Sequence, residues 1–387
     1  MKTYRIGVIG LGQRIAHVLA AMKEVGWSMQ IAGYLDPEPV GLSILEHAGI
    51  DPGHAFSDKA AFAAAPPFDL VMVATPNHLH LDYLKFAWTL GCPVFAEKPI
   101  VRTMEETVEL AGLIRARPPG NLFIGLVMRS MPIVRETIAR IDAGAIGEII
   151  SIDATEHLGP EHGAYLARNW RRRRDYGGSF MLDKVCHDFD IFGRLVGARP
   201  ARVASFGGRR IFHPGQANRS REYDDGTPAF TRTPSGWAGF EDAFASDMDV
   251  ADHQTAMVEY ENGVALSFHS NSQVSLQERR WYIAGTEGTL IADLVRNKLM
   301  LRRVLDRGKP ERIDFSTRTD DGHNGADQEM ARDLLNTLEN GVPFPVTPED
   351  SMEAGLTVMA IDRAMDEKQM IDCAPMWAAY DAALKGK

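Results

Sequence analysis

Three stretches of the chain hold residue types at spacings able to do chemistry. Gly10-Leu11-Gly12 follows an apolar, β-branched run (Thr3 to Ile9) and opens a helical stretch from Gln13 to Val25; a second apolar run, Ile31 to Leu35, ends on Asp36. This is the order of a dinucleotide-binding unit. Gly10 allows a tight turn, Gly12 lets backbone approach a pyrophosphate, and the N–H groups at Gln13, Arg14 and Ile15, with the helix dipole, favour that anion. Asp36 lies about 24 residues beyond Gly12, near the ~20 at which an acid meets the adenosine ribose. Ile15 stands where the fingerprint has its third glycine. That glycine serves helix–strand packing, so the expectation is a slightly displaced helix rather than a lost site.

The second stretch comprises two strand ends. Asp69 to Ala74 is an apolar run that leads into Thr75-Pro76-Asn77-His78-Leu79-His80, and Pro93 to Ala96 leads into Glu97-Lys98-Pro99. Ligands of open α/β sheets bind at such carboxyl ends. Thr75, Pro76, Asn77, His80, Glu97 and Lys98 are therefore cofactor candidates, the alternative for the first loop being a helix N-cap. Lys98 directly after an apolar strand can bind a substrate hydroxyl and stabilise its alkoxide as hydride leaves. The alternative is a surface Glu–Lys pair. The third stretch is the helix after Gly177-Gly178. Leu182, Val185, Phe189, Phe192 and Val196 form its core stripe, and Asp183, His187, Asp190 and Arg194 a stripe along one flank. Asp183 and His187 are one helical turn apart, so the acid can orient the ring for proton transfer near neutral pH. A helix-surface ion pair is the competing reading.

The elements that carry these residues alternate strand and helix from the N-terminus to Val127. Such alternation implies a parallel sheet with right-handed crossovers. From Met128 onward, strands follow one another without intervening helices: Glu148–Glu156, Arg202–Gly207, Ala256–Tyr260, Val264–Ser270, Arg280–Ala284 and Thr289–Asp293. The fold class is therefore α/β plus α+β: a doubly wound parallel sheet over residues 1–127, then a large open, mostly antiparallel sheet over 128–387. A closing helix near 348–366 is expected to pack back on the first domain. His213 to Asp252 is a polar stretch with five aromatics and reads as a lid or an oligomer contact.

With 387 residues the chain accommodates about two domains. Its net charge of −10 argues against a nucleic acid partner. Three cysteines without metal spacing fit a reducing cytoplasm. No apolar run approaches the ~20 residues of a membrane span, and the first residues read as a core strand rather than a signal peptide. No metal is expected.

Taken together, the stretches GVIGLG, ATPNHLH, AEKP, AGAIGEIISI and GGSFMLDKVCHDFD resemble the family of glucose–fructose oxidoreductase, inositol 2-dehydrogenase and the rhizopine-catabolism oxidoreductases. The resemblance implies a Rossmann domain followed by a substrate domain, a nicotinamide cofactor, and sugar or cyclitol substrates. By that resemblance the family's catalytic lysine falls on Lys98, and its Asp and His on Asp183 and His187. Relatives usually have a small or apolar residue after that Asp; here Lys184 either projects into the pocket as a further cation or pairs with Asp188. The resemblance also places His157 to Arg174 beside the substrate. There Tyr165, Asn169 and Trp170 can stack on and hydrogen-bond a sugar ring, while Arg171 to Arg174 read as a clamp for an acidic substituent or, more commonly, as a solvated basic loop. Arg129 and Asp252-His253-Gln254 are further pocket candidates.

The expected activity is an NAD-dependent oxidation of a secondary hydroxyl of a sugar, glycoside or cyclitol, with NADP the less favoured cofactor because Asp36 repels a 2′-phosphate. The alternatives are a redox-assisted glycoside hydrolase or epimerase with tightly held NAD, and a ligand-sensing regulator on the same scaffold. Val264, Leu266 and Phe268 share one strand face, and in the family that sheet face builds a dimer or tetramer, so a homo-oligomer burying it is expected.

Overall fold

The computed structural model describes residues 2–116, 120–217, 221–230, 237–316 and 323–386. They form two compact units. The first comprises Met1–Met131, Gly325–Met352 and Tyr380–Lys387; the second comprises Pro132–Asn324 and Glu353–Ala379. The contiguous division at 127/128 thus misses two returns of the chain. Residues 325–352 and 380–387 belong with the first unit, because apolar and polar groups there meet partners in it. The Trp27 indole donates to the Ala331 carbonyl, for example.

Six strands make the first sheet: β1 (Tyr4–Ile9), β2 (Met29–Leu35), β3 (His54–Ala55), β4 (Leu70–Val73), β5 (Val94–Ala96) and β6 (Leu122–Ile124). Their order is β3-β2-β1-β4-β5-β6, all parallel. The continuous apolar runs of β4, β5 and β6 are buried throughout, as strands covered on both faces must be. The order reverses between β1 and β4, which makes their carboxyl ends the ligand-binding crevice of such a sheet.

Nine strands make the second sheet: β7 (Ile149–His157), β8 (Pro200–Gly208), β9 (His253–Tyr260), β10 (Ala265–Asn271), β11 (Glu278–Gly285), β12 (Gly288–Asp293), β13 (Lys298–Arg303), β14 (Glu311–Asp314) and β15 (Ile371–Asp372). The order is β14-β13-β12-β11-β7-β10-β9-β8-β15, antiparallel except where β10 lies parallel to β7. One face carries Ile152, Leu266, Phe268, Trp281 and Ile283, all buried. The helix Phe180–Val196 covers it, with Phe189 5.4 Å from Phe268 and Phe192 5.5 Å from Trp281 between ring centroids. The Leu266 and Phe268 face is therefore filled by the chain's own helix and is not left for a second copy. The opposite face carries the exposed Phe206, Met257 and Tyr282.

The helix Phe180–Val196 begins where the Ser179 hydroxyl accepts the Leu182 N–H (2.9 Å) and ends at Gly197 in the left-handed conformation (φ 65°). Within 213–252, residues 221–228 are exposed, while an aromatic cluster and two arginines anchor the segment. Phe230 and Phe244 cluster with Phe212, the Arg168 guanidinium donates to the Phe230 and Phe240 carbonyls, and the Arg172 guanidinium lies 4.6 Å over the Phe240 ring.

Candidate active site

In the first unit, the cofactor candidates sit at the carboxyl ends of β1, β4 and β5. Gly10 has φ +83°, and a Cβ there would lie 2.6 Å from the Ala74 carbonyl carbon and the Thr75 nitrogen, so only glycine lets these two strand ends approach. A Cβ at Gly12 would meet nothing within 4 Å. Gly12 is the N-cap of the helix Gln13–Glu24, and no side chain caps it. The Asp36 carboxylate accepts the Leu11 N–H (2.6 Å) and the Glu38 N–H (2.7 Å), which fixes it against the glycine turn. Burial pushes its carboxyl above the ordinary value, and those two donors work against that shift. Gly41 is a contributor that no pattern in the sequence marked. Its N–H donates to the Leu11 carbonyl (2.9 Å), and a Cβ there would stand 2.6 Å from the Gly12 oxygen.

The Thr75 hydroxyl is buried with no hydrogen-bond partner among the described residues. Asn77 is buried beside it in sequence, and Pro76 precedes the short 3-10 turn Asn77–Leu79. The two rings of the loop divide. His78 is half-buried, which with the nearby Arg102 charge lowers its proton affinity. His80 is buried, with its nitrogens 2.8 Å from the Pro99 carbonyl and 2.7 Å from that of Thr75. Its ring ties the loop after β4 to the loop after β5, so its part is to hold the Lys98 loop rather than to meet a cofactor. Glu97 is likewise engaged by the chain. Arg14 bonds Glu97 (3.0 Å) and Asp327 (2.7 Å), and both acids raise its proton affinity against the cost of burial. The Ile15 side chain is fully buried in the core, so only its backbone can face a ligand. Gln13, first residue of the helix, and Lys98, directly beyond β5, are partly exposed.

These residues fit a dinucleotide. An uncapped helix N-terminus behind a side-chain-free approach suits a pyrophosphate, Asp36 suits a ribose diol, and an unsatisfied buried Thr75 hydroxyl awaits a polar partner.

In the second unit, Asp183 and His187 are both buried on the helix Phe180–Val196. Asp183 accepts the Nε–H of Arg171 at 3.0 Å. Arg171 also gathers the expected sugar-contact residues. It donates to the Tyr165 hydroxyl (3.2 Å) and the Asn169 amide oxygen (3.1 Å), and its guanidinium lies 4.1 Å over the Trp170 ring. The four consecutive arginines are thus not a solvated loop. Arg172 bonds Asp247, Arg173 reaches Asp247 and Asp249, and Arg174 bonds Asp366.

Three candidates go elsewhere. Lys184 pairs with Glu156 on β7 (3.5 Å), while Arg279 and the Trp281 indole bond Asp188. Burial raises the proton affinity of Glu156, against the pull of Arg279 and Lys184. Arg129 is buried in the first unit, bonded to Asp350 and the Pro345 carbonyl (3.4 Å each), which makes it an internal tie. Asp252 accepts the N–H groups of Arg210, Ile211 and Phe212, and Gln254 donates to Ser205 and Asp362, so both build the fold. No group of three His, Cys, Asp or Glu residues able to hold a metal ion stands among the described residues.

A doubly wound sheet with a bare glycine turn and an acid at the end of its second strand has the form of a dinucleotide-binding protein. Residues 4–118 match the oxidoreductase family model with an NAD-binding Rossmann fold, and residues 134–291 match the GFO/IDH/MocA C-terminal domain. The chain belongs to the GFO/IDH/MocA family of oxidoreductases, and its first unit is the family's NAD-binding domain.

Among its relatives, 2,7-anhydro-N-acetylneuraminate hydratase of Mediterraneibacter gnavus is 28% identical over 218 residues, 56% of this chain and 55% of that protein. Inositol 2-dehydrogenase of Corynebacterium glutamicum is 25% identical over 205 residues, 52% of this chain and 57% of that protein. The chain thus spans little more than half the length of these two relatives. A solved structure of levoglucosan dehydrogenase with NADH and levoglucosan superposes with a TM-score of 0.76 at 21% identity, covering 96% of this chain and all of that one. No helix among the described residues is long and apolar enough to cross a membrane.

Proposed function

We propose that the chain oxidises a secondary hydroxyl of a sugar, glycoside or cyclitol and passes the hydride to NAD. The observation that carries this reading is the pair Asp183 and His187, buried one helical turn apart, 5% and 8% exposed, in the unit that follows the NAD-binding one. Burying two titratable groups side by side is costly for a fold unless they work. NAD, when bound, accepts the hydride. His187 takes the hydroxyl proton, and Asp183 orients the ring. Lys98, at the end of β5, supplies a cation able to stabilise the negative charge that develops on a substrate hydroxyl. Gly10, Gly12, Asp36 and Thr75 hold the cofactor.

The names of the relatives support this substrate class, since they include an inositol and a levoglucosan dehydrogenase. The hydratase relative favours a second reading, in which NAD stays bound and is regenerated within each turnover. Polyols and anhydrosugars, with levoglucosan and myo-inositol among them, are incubated with the protein and NAD while NADH absorbance and product are both followed. NADH formed in step with product supports the dehydrogenase. Product without net NADH supports the second reading, and neither product nor NADH across the panel rejects both.

We further propose that the protein is a homo-oligomer assembled through the sheet face that bears Phe206, Met257 and Tyr282.

A further inference from the structure

Arg171 lies at the centre of the second unit's chemistry, although nothing in its position within a run of four arginines distinguishes it. Its neighbours 172–174 turn to Asp247, Asp249 and Asp366. Arg171 alone of the four bonds a residue of the buried helix that carries His187.

Its bonds have directional consequences. Nε–H to Asp183 at 3.0 Å is a charge-assisted bond between partly buried groups, their side chains 20% and 7% exposed. It fixes the carboxylate's rotamer and favours its ionised form. The Asn169 amide oxygen accepts both the Arg171 backbone N–H (3.3 Å) and the Nη1–H (3.1 Å), so the amide's NH2 is turned the other way as a donor. The Tyr165 oxygen accepts from Nη1, which leaves its own hydrogen to donate. Trp170 at 4.1 Å holds the guanidinium plane from its face. Nearby charges on the helix are paired with the sheet: Lys184 with Glu156, and Asp188 with Arg279.

We propose that Arg171 is a positioning residue of the active site: it holds Asp183 as an oriented anion beside His187 and fixes Tyr165 and Asn169 as donors toward a polyhydroxylated substrate. This rests on the reading of Asp183 and His187 as the proton-handling pair. The donor set it creates suits the lone pairs of ring and hydroxyl oxygens, with Asp183 supplying the acceptor.

The test is an NMR titration of the His187 ring in the NAD-loaded protein, its signal assigned by its loss in His187→Gln. It needs no substrate. Removing the guanidinium takes away the positive charge bonded to Asp183, so Arg171→Gln should raise the ring's titration midpoint by roughly one pH unit, the size of a neighbouring-charge effect. Arg171→Lys keeps a cation and should leave the midpoint near that of the wild type. NAD affinity and cooperative melting show that each variant is folded. A midpoint unchanged in folded Arg171→Gln, or moved equally by both variants, overturns the proposal. Should Arg171→Gln not fold, the lysine variant decides: a midpoint at the wild-type value supports the assignment, and a displaced one rejects it. The underlying reading fails by a separate measurement, full turnover in His187→Ala on any sugar the wild type oxidises.

Discussion

Asp36 does two things with one carboxylate. It braces the glycine turn through Leu11 and, in the proposed cofactor site, presents negative charge to a ribose diol. No lysine or arginine follows it closely in Pro37-Glu38-Pro39-Val40-Gly41 to neutralise a 2′-phosphate, and Arg14 is committed to Glu97 and Asp327. NAD should therefore bind more tightly than NADP, and Asp36→Ala should weaken NAD while narrowing the gap; calorimetric titration of both dinucleotides checks this, and tighter NADP binding by the wild type contradicts it. Lys98 and His187 make a second prediction. General acid–base catalysis contributes roughly 10²- to 10⁴-fold, so His187→Ala should lower kcat by about that factor with NAD affinity retained. Lys98→Met removes the cation and should lose a comparable factor. The proposed reaction gives both residues a role in one proton and hydride transfer, and on that reading the double variant should cost far less than the product of the two. A double-mutant cycle on kcat measures this coupling, and effects that simply multiply would separate the two residues into unrelated roles.

The helix Phe180–Val196 owes its start to a clasp. Ser179 caps it, and the Ser179 hydroxyl donates to Asp362 (2.5 Å), which also accepts from the Gln254 amide (3.1 Å). Burial pushes the Asp362 carboxyl up to about 6; Ser179, Gln254 and Arg174 work against that shift, while Asp366 adds to it. A carboxyl whose folded value exceeds its unfolded one, near 3.9, binds its proton more tightly in the native state. The stability this gives is present below about pH 4 and is lost as pH rises to about 6, about 3 kcal/mol over two units. Asp362→Asn keeps a carbonyl acceptor for the Gln254 amide and removes the charge, its NH2 replacing the carboxylate oxygen that accepts from Ser179 and able to donate to the Ser179 oxygen instead. Its Tm relative to wild type should therefore rise between pH 4 and 7; a difference that stays constant over that range would remove Asp362 as the source. Elements such as this helix were legible in the sequence because the Ser179 cap, the apolar stripe and Gly197 are local signals. Its clasp was not, since Asp362 is 183 residues away from Ser179. The same holds for Lys184, whose partner Glu156 is fixed by the register of β7 with β11 and not by helical spacing. The strands β13 and β14 at one end of the second sheet and the last helix, Ala374–Lys385, also escaped the reading, because brief amphipathic runs flanked by charges give little periodic signal.

The two-part organisation of the chain was readable from the change of pattern near Met128, yet its segment exchange was not. Gly325–Met352 joins the first unit through partners such as Ser130 with Asp333 and Arg14 with Asp327, pairings that no local pattern announces. The same limit misassigned the sheet's free face. Alternation in Val264–Phe268 shows that one side is apolar, but not that a helix of the same chain fills it. With Leu266 and Phe268 fully buried beneath that helix, the uncovered side is the one bearing Phe206, 78% exposed, and Met257, 54% exposed. These two are diagonal neighbours, since Phe206 pairs with Thr255 and Ala204 with Met257. The ladder continues from Met257 through Ser267 and Asp153 to Tyr282. Asp153 there bonds Ser267 and Arg280, so polar pairs are interleaved with the apolar groups, as at interfaces that must also be tolerated in water. A sheet face exposing several large apolar groups is a surface that chains commonly cover by association. At micromolar concentration, light scattering should therefore give a dimer or tetramer mass. Phe206→Asp with Met257→Asp should shift that mass toward the monomer and leave NAD affinity unchanged, because the first unit carries the cofactor residues. A wild-type monomer mass would refute the assembly, and an unchanged oligomer in the double variant would place the contact on another surface.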